Sequence, residues 1–159
     1  MRVGMGYDLH RLVPGEPLIL GGVTIDFELG LMGHSDADVL THALIDALLG
    51  AMARGDIGQH FPDSDPRYRD IDSLILLDKT RKIMAEDGYV LVNGDLLIMA
   101  QSPRIGPYRQ PIIDSLAGVL KIEQGQLNLK ATTTEKLGII GRQQAIAAQA
   151  GVLIKEGEI

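Results

Sequence analysis

Residues 39–52 constrain this chain more than any other stretch, because they leave a helix with very little polar surface. At about 100° per residue, Val39, Leu40, Ala43, Leu44, Ala47 and Leu48 fall on one broad face, and Ala51 continues it. Asp38, His42 and Asp46 form a narrow polar stripe at spacing i, i+4, i+8, flanked by Ile45 and Leu49. A freely solvated face would not favour those two residues, so the stripe is expected to line a cleft or a contact with a second subunit. Ser35 to Asp38 has the S-x-x-D form of a helix start.

The other segments fall around this helix. Residues 1–10 and Leu18–Leu20 read as strands. A loop rich in Asp, Gly and Pro follows the helix, from Gly55 to Pro66, and is too long for a mere connector. A second helix is expected from an Asp72 N-cap to Asp87, with Gly88 as its stop. Tyr89 to Ala100 reads as a strand whose end, Leu96 to Ala100, looks buried on both faces. A third helix is expected over Pro111 to Leu120, with Pro in its first turn. Leu127 to Ala131 reads as a strand. Residues 144–154 alternate and are assigned to a strand despite their many alanines. This order implies an α+β fold: a single domain over residues 1–159, with a mixed β-sheet covered by helices. Apolar residues make up 45% of the chain but aromatics only 4%, so the core must be aliphatic. Nineteen glycines point to tight turns and close backbone approaches.

Charge and composition exclude several classes. A net charge of −6 argues against nucleic acid and anionic membrane as partners. With no Cys there is no disulfide, thiolate zinc site or Cys nucleophile. The N-terminal residues lack a signal-peptide core, and no apolar run is long enough to span a bilayer. A cytoplasmic location is expected.

Chemistry gathers at three places. In an extended chain Asp8 and His10 point to the same side and can converge on one ion. His42, on the helix stripe, can complete a set of one carboxylate and two imidazoles, as in a catalytic zinc site with an open position. Asp46, one turn on, is placed to orient that imidazole. His34 and Ser35 precede the helix, whose free N–H groups could serve an anion. His60 reads as a surface loop residue. Finally, Ala131 to Gly138 packs Thr132, Thr133, Thr134, Glu135 and Lys136 together at a strand end. Hydroxyls and an ammonium donate to phosphate oxygens, and a carboxylate can hold the divalent cation that phosphates carry.

Gly4-x-Gly6-Tyr7-Asp8-x-His10, His34-Ser35-Asp36-Ala37-Asp38 with His42, Gly55-Asp56-Ile57-Gly58 with Phe61-Pro62-Asp63, and Ala131 to Gly138 with Gly141-Arg142 occur in this order. Together they resemble the 2-C-methyl-D-erythritol 2,4-cyclodiphosphate synthase family of the non-mevalonate isoprenoid pathway, over nearly the whole chain. The resemblance implies a homotrimer with active sites between subunits. It implies closure of 4-diphosphocytidyl-2-C-methyl-D-erythritol 2-phosphate to the cyclic diphosphate, with release of CMP. It further implies zinc on Asp8, His10 and His42, and a second divalent cation, magnesium or manganese, on Glu135. His34, Ser35, Asp56, Gly58, Phe61, Asp63 and Asp65 would meet the methylerythritol phosphate. Ala100 to Gly106, including Pro103, Arg104 and Ile105, with Ala131, Thr132 and Thr133, would form the cytidine and phosphate pocket. His34 and Thr133 would assist the transition state. Ile139 and Arg142 lie where the family lines a trimer cavity able to hold isoprenoid diphosphates, and both would touch ligand. Met5, Ile139 and Gln143-Gln144 depart from the commonest family pattern. A generic zinc hydrolase and a non-catalytic trimer binding isoprenoid diphosphates remain the alternatives.

Overall fold

A computed structural model describes residues 1–157. The last two residues of the expected domain lie outside the described residues. The chain forms β1 (Arg2–Pro14), β2 (Leu18–Leu20), β3 (Val23–Ile25), β4 (Leu29–Met32), α1 (Val39–Met52), α2 (Ile57–His60), α3 (Ser73–Glu86), β5 (Tyr89–Met99), α4 (Arg109–Leu120), β6 (Leu127–Thr132), α5 (Gly138–Gly141) and β7 (Ala145–Glu156). Five strands make one sheet in the order β4-β1-β7-β5-β6, and β2 and β3 pair apart from it. The β5–β6 pair is parallel and the others are antiparallel, so the sheet is mixed. The fold is α+β, as the order of elements implied.

Register explains which face is covered. Gly6 pairs with Ala150, Ala150 with Leu96, and Leu96 with Leu129. Ala150, Leu96 and Leu129 in this row are buried. The neighbouring row runs Tyr7, Gln149, Leu97, Lys130 on the opposite side of the pleat. Helices cover the first face only, and Val3, Met5, Tyr7 and Leu9 of β1 stay exposed on the second. Leu97 and Met99 are half-buried there, so the expectation that Leu96 to Ala100 is buried on both faces fails. The end of β5 is covered on one side alone.

Helix α1 lies directly on β1 and β7. Gly4 and Gly6 make this possible, since a Cβ at Gly6 would stand 2.0 Å from the Ala43 carbonyl oxygen. Ala148 and Ala150 of β7, on the same face as Gly6, serve the same close approach and are buried. Ile45 and Leu49 are fully buried as well. Helix α3 packs beside α1 within the same chain, so these two residues give no evidence of a neighbouring subunit. Each such fully buried side chain contributes about 1.5–3 kcal/mol relative to exposure.

Caps delimit the helices. Asp38, not Ser35, caps α1, accepting from Thr41 N at 3.0 Å. Its carboxylate also accepts from the N–H groups of Gly21 (2.9 Å) and Gly22 (2.7 Å). Asp38 is therefore a buried knot rather than part of a wet stripe. Burial pushes its carboxyl above the ordinary range, and these hydrogen bonds oppose the shift. Asp72 caps α3 through Leu74 N, and Gly88 follows at φ +74°. Strands β3 and β4 and the short α2 and α5 are too brief for a periodic signal. No helix among the described residues is long and apolar enough to cross a membrane.

Candidate active site

Strand β1 and helix α1 bring Asp8, His10 and His42 together. Asp8 Oδ2 lies 2.9 Å from His10 Nε2 and 3.1 Å from His42 Nδ1. His10 Nε2 and His42 Nδ1 are 3.3 Å apart. The far nitrogen of His10, Nδ1, lies 2.8 Å from the Met32 carbonyl oxygen. A carbonyl only accepts, so in the neutral ring Nδ1 carries the proton and Nε2 turns a lone pair inward. A carboxylate oxygen, the inward lone pair of His10 and His42 Nδ1 thus converge, a set that a divalent cation can bridge. All three ligand atoms lie within 4.8 Å of one another, so the trio fits a metal ion.

Electrostatics agree with that geometry. Burial disfavours the Asp8 anion, but the hydrogen bonds and charge of His10 and His42 outweigh it and hold the carboxyl below its usual range. Burial likewise disfavours protonated His10, yet Asp8 and the Met32 carbonyl raise its pKa overall. Asp46 does not orient His42. Its Oδ1 instead accepts from Ile57 N at 2.7 Å, tying α1 to α2. Partial burial raises the Asp46 pKa, the Ile57 N–H opposes this, and the charges of Asp56 and Asp8 add to it.

The trio opens into a cleft of about 370 Å³. His34, Ser35, Gly58, Phe61 and Asp63 line it too, as does Tyr68, which sequence reading missed. Tyr68 meets Phe61 edge to face at 5.5 Å, so the two rings form one wall. Asp56 and Asp65 are not lining residues of this cleft. Asp56 caps α2 through Gln59 N at 2.9 Å. Asp65 is paired with Arg67, whose side-chain hydrogen bonds hold the Asp65 carboxyl down at about 2. At the start of α1 the Thr41 N–H is already taken by Asp38, while His34 and Ser35 line the cleft. His60 belongs to α2 and lies 2.8 Å from the Arg54 carbonyl oxygen, so it is not an unpaired loop residue.

A second pocket, of about 420 Å³, gathers Ala100, Pro103, Arg104, Ile105 and Gly106 from one loop and Ala131, Thr132 and Thr133 from the end of β6. Gln101, inside the expected Ala100 to Gly106 stretch, lines it too and accepts from Lys136 N at 3.0 Å. Thr133 Oγ1 donates to Glu135 Oε1 at 2.9 Å and so orients that carboxylate beside the pocket. Glu135 and Lys136 both adopt positive φ, a strained conformation of the kind that collects at ligand sites. The two pockets share no lining residue. Ile139 lines a third pocket with Leu9, Arg11 and Gln143, and Arg142 is exposed nearby without lining it.

The family model described as the YgbB family matches residues 1–155. The chain belongs to the YgbB family. A relative from Halothermothrix orenii, named 2-C-methyl-D-erythritol 2,4-cyclodiphosphate synthase, is 56% identical over all of this chain and 98% of its own. Among solved structures, the bifunctional IspDF of Campylobacter jejuni superposes with a TM-score of 0.95 at 41% identity, over 99% of this chain. This chain spans only 42% of that two-function protein. A Plasmodium falciparum IspF, solved as a CDP complex, superposes with a TM-score of 0.87 at 35% identity, covering 99% of this chain and 97% of its own. YgbB-family membership thus rests on essentially the whole chain, and both pockets lie inside the matched region.

Proposed function

We propose that this chain converts 4-diphosphocytidyl-2-C-methyl-D-erythritol 2-phosphate to 2-C-methyl-D-erythritol 2,4-cyclodiphosphate and CMP, in the cytoplasm, with residues 1–159 acting as one domain. The observation that carries the reading is a pair of pockets, a metal-fitting cleft and a hydroxyl-rich pocket, in a chain whose family members are named for this reaction. A generic zinc hydrolase would leave the second pocket without a role. A non-catalytic trimer would leave the metal trio without one.

The substrate's own 2-phosphate attacks its β-phosphoryl group, and the bond to CMP breaks. No protein nucleophile is needed, in keeping with a chain that has no Cys. The protein must orient the reacting groups and answer their charge. His34 and Ser35 stand in the cleft beside the trio and serve the methylerythritol phosphate. The buried Ala100 and Ile105 offer an apolar wall for the cytosine. Thr132 and Thr133 offer hydroxyls to phosphate oxygens, with Thr133 also fixing Glu135. Zinc on Asp8, His10 and His42 would polarise the β-phosphoryl group, and magnesium or manganese on Glu135 would neutralise the departing phosphate. Good orientation supplies up to ~7–11 kcal/mol of barrier lowering.

Assembly as a homotrimer, with sites completed between copies, belongs to the same proposal. Two observations support it: the pockets share no lining residue, and the uncovered sheet face carries Val3 at 71%, Met5 at 68% and Tyr7 at 57% exposure. Contiguous apolar surface of that kind marks a protein contact. Phosphorus NMR of the protein incubated with the cytidyl substrate and magnesium tests the activity. The expected products are the cyclic diphosphate and CMP in equal amounts. Hydrolysis of simple phosphate esters without cyclisation would overturn the assignment. Zinc content should be one per chain, and His42→Ala should abolish it.

A further inference from the structure

His42 Nδ1 faces Asp8 and His10, while Nε2 lies 2.9 Å from Ser73 Oγ and 3.1 Å from Ser35 Oγ. A neutral imidazole carries one N–H, and only an unprotonated Nδ1 could serve as a ligand. Ser73 decides which nitrogen holds the proton. It is fully buried as the first residue of α3. Its hydroxyl donates to Asp36 Oδ1, and its backbone N–H donates to Asp36 Oδ2 at 2.9 Å. A hydroxyl has a single proton. With that proton on Asp36, Ser73 Oγ can only accept from His42, so Nε2 must be the donor.

We infer that Asp36, acting through Ser73, sets the tautomer of His42 and so turns its Nδ1 lone pair toward the metal position. The inference rests on the metal reading above and extends it to two positioning residues. Neither lines the cleft, so neither meets substrate. Asp36 is itself fixed, because its N–H donates to the Ile71 carbonyl at 3.1 Å and its Oδ1 accepts from Asp38 N at 3.2 Å. The chain carboxylate–hydroxyl–imidazole therefore runs from the start of α3 to the cleft in one direction. It both orients the ring and makes it a more basic ligand.

The experiment reads the tautomer directly. Zinc-free protein, ¹⁵N-labelled in histidine and held at a pH where the imidazoles are neutral, is examined by NMR. Wild type should show His42 protonated at Nε2. Asp36→Asn should lose that state, because the amide can donate to Ser73 and release the hydroxyl proton toward His42. Zinc affinity, measured by competition with a chelator, should fall about 10–100-fold in Asp36→Asn and in Ser73→Ala. Wild-type His42 protonated at Nδ1 would overturn the inference, even if neither variant folds. So would folded variants that bind zinc as tightly as wild type. A wild-type protein that binds no zinc would instead sink the metal reading. The Nε2 tautomer, present in wild type and lost in Asp36→Asn, would still support the relay.

Discussion

Placing one methyl group at Gly6 should disable the metal trio without touching a ligand. An added Cβ would stand 2.0 Å from Ala43 O and 2.8 Å from Ala47 N, both backbone atoms of α1. Real Cβ contacts essentially never fall below 3.0 Å, so α1 and β1 must separate by about 1 Å at this point. Asp8 follows Gly6 by two residues on the same strand face, and His42 precedes Ala43. The gap therefore opens where the two elements meet to form the trio. Overpacking of this kind costs about 1–3 kcal/mol. For a chain of this size that lowers Tm by roughly 2–4 °C per kcal/mol. A shift of about 1 Å also exceeds the ~0.5 Å within which a site must be held, so zinc affinity should fall together with Tm. Gly118→Ala is the control, since nothing lies within 4 Å of its added Cβ in α4. The assays are thermal unfolding and zinc content after dialysis. A Gly6→Ala protein with unchanged Tm and a full complement of zinc would refute the claim that close helix–strand contact builds the site.

Glu135→Gln should keep the zinc but lose most activity and its magnesium dependence, because a hard cation prefers the carboxylate; an unchanged magnesium titration would refute that role. Inactive His42→Ala and Thr133→Ala proteins, refolded together, should regain a fraction of wild-type activity if each site takes one pocket from each of two copies. Mixed assemblies of verified composition that stay inactive would refute sharing. Arg67→Met should raise the Asp65 pKa from about 2 toward 3.8, read by NMR titration. The folded value lies below the unfolded one, so any stability from this exposed pair is present above pH 3.8 and is lost as pH falls toward 2. No movement of the Asp65 titration would refute the pairing.

The sequence alone determined what local rules govern. The bounds of α3 were legible from its Asp72 cap and Gly88 stop, and those of α1 from apolar spacing, because these act within a few residues; that Asp38 and not Ser35 caps α1 was not legible. The convergence of Asp8 and His10 was legible because alternate residues of a strand share a face. Tertiary structure decided what depends on distant partners. Asp46 is one turn from His42, yet its carboxylate goes to Ile57, while the proton of His42 is set by Ser73, 31 residues away. Ile45 and Leu49 look like contacts for another subunit until both are seen to be fully buried within the single chain. The uncovered sheet face needed the register of four strands, because no single strand shows which side its helices will take. Hydrogen-bond partners and packing neighbours are chosen by where the chain returns in space, and spacing along the chain carries no record of that.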